Sequence, residues 1–433
     1  MIKLIHMLMP LFLCGAWAQG QEAESIHELT GVWQADFNAD SSRIITKLRG
    51  GKLGLWDAST GKKIANELSK AEAVDDYVLD KQAKLALVQL KADTFRAYEV
   101  RSGKAASPAL VASGTNLEGA FTAEGSQVLI RSIEGDVKVF DITSGKQVAA
   151  PSLPPEEEGY ELNSRPGFCP QRHLAFLMDI KGRLHRYDTR SWKEIMPHID
   201  HKLSDSSYAI GFTISEDGHH VATFDAPGEN GPNGSLQIWD LETSKAVGAP
   251  LVGTNGVSAT FMGDSRCLIR YARGSVSMVS LPSFSAEFEF RRHDDVEASF
   301  AHLLSTDRRK YILSWGFDRF MELSHYDNGT HAGNAVLPCQ IDSVLSPNSP
   351  DHVWITLNNT VHLKKQHYDC YIVKYSIPGL APDAVLRVQD YIHHAVLSPD
   401  FKRLMVVQGT SDRERISLFD AQSLEEVIFT SSR

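Results

Sequence analysis

An all-β chain forming a single ring of about seven to nine four-stranded sheets is predicted by three observations. A short turn phrase recurs nine times, and a second strand-and-turn phrase follows most of its copies. The composition agrees: 42% apolar and 23% charged residues, with 31 glycines in 433 residues. That apolar fraction supplies a real core and excludes general disorder. The length could hold two or three average domains, but a repeat running from about 30 to 430 favours one large β-architecture.

The chain opens on an export signal. Lys3 supplies a positive n-region, an apolar run follows from Leu4 to Leu13, and Ala16-Trp17-Ala18 gives the small-x-small pattern of signal peptidase. Residues 1–18 are therefore expected to be removed before Gln19, leaving one repeat-built domain over 26–433. The run is too short for a permanent span, which needs about 20 apolar residues. Cys14 follows the run as a lipoprotein cysteine would, but Leu13 stands where a lipobox has a small residue, so lipid anchoring is not expected. The mature chain is expected to be exported, periplasmic or extracellular. Its cysteines Cys169, Cys267, Cys339 and Cys370 are too few for a disulfide scaffold. Cys339 and Cys370 share one repeat and form the best candidate pair, with four buried thiols as the alternative.

The first phrase is an apolar residue, a polar turn and an apolar strand. It reads Phe37-NADSSR-IITKL, Leu79-DKQAK-LALVQL, Phe121-TAEGSQ-VLIRS, Phe168-CPQRH-LAFLM and Ile214-SEDGHH-VATF. It continues as Phe261-MGDSRC-LIRY, Leu304-STDRRK-YILSW, Leu345-SPNSPDH-VWIT and Leu397-SPDFKR-LMVV, at intervals of 41 to 52 residues. The second phrase reads LGLWDASTGK (53–62), RAYEVRSGK (96–104), VKVFDITSGK (137–146), LHRYDTRSWK (184–193), LQIWDLETSK (236–245) and ISLFDAQSLE (416–425). Alternating apolar and polar residues mark a half-buried strand. The aspartate that follows can accept backbone N–H bonds and hold the turn closed. Each unit thus offers about four short strands in about 45 residues. A lone sheet of that size cannot bury both faces, whereas radial stacking does so and leaves few open edges. That arrangement is a β-propeller. Nine copies imply nine blades, although the sixth lacks the acidic turn and the eighth is irregular. The segment Ile26 to Thr30 is a candidate closing strand for the last blade.

Trp56-Asp57 and Trp239-Asp240, each before a Ser/Thr-rich turn ending in lysine, resemble the WD-repeat signature. Ser398-Pro399-Asp400 and the SEDG turn from Ser215 to Gly218 resemble turns of bacterial WD-repeat and Tol-type propellers. The resemblance covers nearly all of 30–430 and implies the fold, not a function. No unit carries the family's Gly-His dipeptide and only two keep Trp-Asp, so the buried His/Ser/Asp/Trp hydrogen-bond network is expected to be largely absent. The DASTGK, DITSGK and RSGK turns also resemble those of quinone-binding propellers, but the tryptophan that should follow Gly-Lys is missing.

No catalytic, cofactor or metal residue stands out. There is no G-x-S-x-G, H-E-x-x-H or phosphate-cradling G-x-x-x-x-G-K. His219-His220 and His393-His394 would face opposite sides of a strand and could not easily share an ion. The first pair reads as a solvated turn; the second, just ahead of the last unit's strand, is a candidate for the central channel. His198, Asp200 and His201 read as a surface cluster between units. His362, His367 and Asp369 offer two imidazoles and a carboxylate, which suit a transition metal but match no signature. Asp75-Asp76, Asp294-Asp295 and Glu156-Glu157-Glu158 read as solvated loops. Two insertions, Ala226 to Ser235 and Asn358 to Cys370, are candidate recognition loops.

With 54 acidic against 44 basic residues and a net charge of −10, no electrostatic footprint for nucleic acid or an anionic membrane exists. The expected role is an exported, non-catalytic, monomeric scaffold for a protein or peptide partner, with no cofactor. The alternative is a propeller enzyme or ligand-binder acting on a glycan, peptide or small molecule at the central mouth.

Overall fold

The computed structural model describes residues 25–427 except for 65–66, 71–73, 92, 115–116, 123–124, 133–134, 152, 154–164, 180, 202–206, 228–233, 255–256, 263–265, 272–275, 282, 284, 290–298, 305–310, 317–319, 338–340, 346–350, 360–368, 389 and 410–412. The export signal with Cys14, the acidic run at 156–158, the acidic pair at 294–295, Cys339, His362 and His367 therefore lie outside the described residues.

The repeats fold into nine antiparallel sheets in chain order, each with its strands in sequence order. Nine is thus the blade number, and the sixth and eighth repeats form full blades despite their irregular turns. The inner strands are Val32–Phe37, Asp76–Leu79, Glu118–Phe121, Gly167–Cys169, Ser207–Ile214, Val257–Phe261, Ser299–Leu304, Ile341–Leu345 and Ile392–Leu397. Blades 2 to 8 have four strands; blades 1 and 9 have three, with Trp56–Lys63 and Phe419–Glu426 bridges marking the outer position. Because each blade is a meander, turns between inner and second and between third and outer strands lie on one face of the ring. Second-to-third turns and the links between blades lie on the other.

Strand alternation explains the burial of both sheet faces. In the second strand of blade 1, Ile44 packs towards blade 9 with Met405, Val407 and Leu418, whereas Ile45 packs towards blade 2 with Tyr77, Ala86 and Val88. The core is therefore a ring of inter-blade layers. Ring closure joins blades 9 and 1 through Ile26 and Leu29, which enter the same apolar layer as Met405 and Leu418. The segment expected to add a closing strand makes instead a short 3-10 turn, Ile26–Glu28, with one bridge to each neighbour: Ser25 to Lys62 and Thr30 to Arg415.

The recurring turns have the chemistry their residues imply. In the first phrase a side chain caps the reversal: Arg43 N–H donates to Asn38 Oδ1 at 2.8 Å, His220 N–H to Ser215 Oγ at 2.8 Å and Arg403 N–H to Ser398 Oγ at 2.9 Å. In the second, the aspartate accepts backbone N–H bonds two and three residues on, as from Ser59 and Thr60 to Asp57, both at 3.0 Å. Each such turn then needs one left-handed residue, supplied by Gly61, Gly103 and Gly145 but also by Trp192, Ser244 and Leu424.

These turns set an acid limit. The Asp141, Asp188, Asp240 and Asp420 carboxyls sit below the ordinary 3.8, led respectively by hydrogen bonds from Ser144, Arg190, Thr243 and Ser423; Asp188 is lowered to about 2. As pH falls, the unfolded chain takes up these protons first, so the stabilisation is complete above the unfolded value and lost on descent through the folded values. Denaturant midpoints are expected to fall between about pH 4 and pH 2. Asp188→Asn, which retains an acceptor but does not titrate, should flatten that dependence; an unchanged slope would refute this origin.

Cys169 and Cys267 are buried thiols, and burial pushes Cys267 up to about 12. Cys370 is also buried, but its candidate partner Cys339 lies outside the described residues.

Among the described residues the WD-type network, expected to be largely absent, is largely present in blade 5. Trp239 Nε1–H donates to Thr223 Oγ1 at 2.8 Å, and the Thr223 hydroxyl meets His201 Nδ1 at 2.8 Å. In the tautomer in which the hydroxyl donates to Nδ1, the Nε2–H is directed to Ser235 Oγ at 3.1 Å, with Asp225 Oδ1 3.8 Å from the same nitrogen. Thr223, Asp225 and His201 are buried. His201 is therefore not part of a surface cluster: the Asp-His dipeptide performs the role of Gly-His. Blade 1 keeps only the Trp56 Nε1–H bond to Thr46 Oγ1, at 2.9 Å.

Candidate functional site around the central mouth

Three consecutive blades share an irregularity beside the axis. The inner strands of blades 8, 9 and 1 carry bulges between Ile341 and Ser343, between Ile392 and His394 and between Val32 and Gln34. A bulge places two residues opposite one on the partner strand and re-aims a side chain. The extra residues are Asp342, His393 and Trp33, all exposed; Trp33 reaches 57%. Inner strands of blades 8 and 9, and of 9 and 1, are in contact, so the three positions form an arc at the mouth on the face of the blade links. Blade 5 has a bulge at the same place, between Ala209 and Gly211.

The arc is held from behind. The Arg49 guanidinium lies over the Trp33 ring, 4.9 Å from its centroid. Arg49 Nε and Nη2 donate to Glu414 Oε1 at 3.0 and 2.5 Å. Glu414 is buried, and its backbone carbonyl accepts from Gly31 N–H at 2.9 Å. His393 Nε2–H donates to the Gly409 carbonyl at 2.9 Å, with the Tyr391 ring edge-on at 5.1 Å. The result is an indole, an imidazole and a carboxylate on braced backbone, suited to contacting a partner surface.

The bulge also corrects the reading of the adjacent histidines. His393 and His394 are both exposed, and the bulge between Ile392 and His394 interrupts the alternation that would set them on opposite faces. His219 is exposed as expected for a turn, but His220 is half-buried and stacks on Phe261, with ring centroids 6.4 Å apart. Asp75 and Asp76 are exposed, and both accept from Lys47 Nζ. Both insertions fall largely on residues 228–233 and 360–368, outside the described residues.

Two concavities flank the ring. A pocket of about 150 Å³ between the inner strands of blades 2 and 3 is lined by Asp76, Tyr77, Phe95, Glu118 and Arg165 among others. Tyr77 O–H donates to Asp36 Oδ2 at 2.6 Å; burial first, then the Asp36 and Asp76 charges, push its phenol well above the ordinary 10, so it remains a neutral donor. On the opposite face, a groove of about 520 Å³ runs between the Asn38–Asp40 and Asp80–Lys84 turns and past Arg101. Its lining mixes charged turn residues with Ala39, Ala83 and Leu85.

Alternation alone does not single out Trp33, although a signal of its bulge is present in the spacing of its neighbours. Val32 and Ala35, Ile341 and Val344, and Ile392 and Ala395 are apolar pairs spaced by three, where unbroken alternation requires two.

Fold and mouth together define a nine-bladed, WD-like β-propeller with a bulged, aromatic-bearing arc where the ring closes. Among solved structures, the C-terminal WD40 domain of Sif2 is similar with a TM-score of 0.52 at 11% identity, covering 90% of this chain and 97% of that one. The dihydro-heme d1 dehydrogenase NirN in complex with DHE is similar at 0.51 and 15% identity, covering 94% and 79%. BamB from Moraxella catarrhalis gives 0.48 at 14% identity, covering 83% and 95%. At these identities the likeness concerns the fold. No protein-family model and no curated protein matches the sequence. Among the described residues no helix is long and apolar enough to cross a membrane.

Proposed function

We propose that this protein is an exported, non-catalytic propeller that binds another exported protein or a peptide through the arc formed by Trp33, Asp342 and His393. The observation that carries this reading is the Trp33–Arg49 pair, an exposed indole held under a guanidinium that is itself fixed by a buried carboxylate. Tryptophan and arginine are enriched in binding hot spots, and tryptophan brings a large contact area with only two torsions to freeze. Here the ordering cost is already met in the free protein. The reading requires no cofactor and a single copy of the chain.

A second reading, an enzyme or ligand-binder for a glycan, peptide or small molecule, is favoured by one observation. The pocket beside Tyr77 brings Asp76, Glu118 and Arg165 around a neutral phenol. The two readings separate on one comparison. Trp33→Ala should weaken binding of a partner captured by the wild-type protein about thirty-fold or more, by about 2 kcal/mol or more, without altering the denaturation midpoint. Unchanged capture by Trp33→Ala, combined with loss on Arg165→Ala, would move the site to the pocket.

A further inference from the structure

The outer part of blade 4 brings together three side chains that the binding arc does not use. His185 lies on the third strand, Arg183–Asp188, and Ile199–Asp200 forms the outer strand. Tyr187 bridges Glu194, and Leu184 pairs with Ile199. Between these pairings the third strand advances three residues and the outer segment five. The two surplus residues fold the outer segment back, placing the His198 ring 5.4 Å from that of His185, centroid to centroid. Donor atoms of His185, Glu194 and His198 all lie within 4.8 Å of one another.

The surroundings hold this set in place. Buried Arg186 donates to the Pro197 carbonyl at 2.6 Å, next to His198, and to the Leu241 carbonyl and Ser244 Oγ of blade 5. His185 Nε2 faces Asp179 Oδ2 at 3.2 Å, while Nδ1 faces Glu194 Oε1 at 2.7 Å. Asp179 is buried and fixed by the Lys181 and Arg183 N–H groups and by Arg183 Nε. A carboxylate on the far nitrogen of an imidazole orients a metal-binding histidine and raises its basicity. Glu194 and His198 are accessible from solvent.

We propose that His185 Nδ1, a Glu194 carboxylate oxygen and a His198 ring nitrogen form a site for a divalent transition metal such as Zn²⁺, with Asp179 as the orienting partner. Two imidazoles and one carboxylate are a zinc donor set with a fourth position left for water or a partner's side chain. Tetrahedral coordination at about 2.0–2.1 Å sets donor atoms about 3.3 Å apart. The set therefore needs the His185–Glu194 contact to open slightly and His198 to close in. On binding, the metal replaces the proton shared between His185 Nδ1 and Glu194, and that proton leaves to water. The Asp179 contact keeps the Nε2 proton. The simpler arrangement, a His185 imidazolium between two carboxylates, accounts for Asp179 and Glu194 but gives His198 no part.

Zn²⁺ titrated calorimetrically into the tag-free mature chain, stripped of metal, tests this. One saturable equivalent is expected, weakened at least ten-fold by His198→Ala and by Glu194→Gln, each accessible enough to leave the fold intact. Co²⁺ should show the visible bands of four-coordinate geometry in the wild type and lose them in His198→Ala. With 17 histidines in the chain, metal uptake alone proves nothing. The absence of a saturable equivalent, or wild-type affinity in both variants, would overturn the proposal. Neither result bears on the Trp33 arc.

Discussion

Trp56→Ala is expected to destabilise the protein by about 3–5 kcal/mol, the range for a large buried aromatic. Trp56 is 1% exposed within the apolar layer between the first and last blades, with Ile26, Phe37 and Ile44 on one side and Met405, Ile416 and Leu418 on the other. Blades 1 and 9 are the first and last of the chain, so the ring is shut here by this apolar layer together with the Thr30–Arg415 bridge and the Gly31 N–H bond to the Glu414 carbonyl. The indole also closes on its own strand: a Cβ at Gly54 would stand 2.6 Å from Trp56 Nε1, so only glycine permits the approach. Removing the ring leaves a cavity and strips Thr46 Oγ1 of its donor. Denaturant midpoints measure the loss. Trp239→Ala, at a partly exposed position within a covalently continuous part of the ring, should cost less. An equal cost would contradict the special role of the seam.

Arg49→Met should destabilise by about 3 kcal/mol or more, and by more than Glu414→Gln. The asymmetry follows from burial: the Glu414 side chain is 1% exposed and that of Arg49 32%. Without Arg49, the carboxylate loses both donors to Oε1, and Oε2 already has no partner. Without the carboxylate charge, the guanidinium still reaches water. Methionine retains the aliphatic stem, so the difference reports the lost charge pairing and not lost packing. Urea denaturation of both variants decides the order, and the reverse order would refute a buried, Arg-dependent Glu414.

Much of the fold was legible because its information is local. The polar turns after Phe37, Ile214 and Leu397 and the aspartates after Trp56, Phe140 and Phe419 specify reversals that the structure reproduces. Nine copies of the turn therefore mean nine blades, even where a phrase is degraded. The sites were less legible because they depend on register. Trp33 is exposed through one extra residue in its strand, which reads as ordinary alternation unless the spacing of three from Val32 to Ala35 is noticed. His198 and His201 are three residues apart and look like one cluster. The chain sends His201 inward to Thr223 and folds His198 back over His185, a division fixed by the surplus residues of the outer segment of blade 4. The Asp-His dipeptide replacing Gly-His concealed the buried network of blade 5 from a motif search.

The central claim, that partners dock on the arc beside the closing seam, is tested most directly by site-specific photo-crosslinking in the native compartment. A photoreactive residue is placed in turn at Trp33, Asp342 and His393, and at the exposed outer-strand positions Val111 and Val336. The account predicts one recurrent exported protein or peptide cross-linked from the three mouth positions and not from the two outer ones. Cross-links confined to Val111 or Val336, or no common adduct at the mouth, would contradict it.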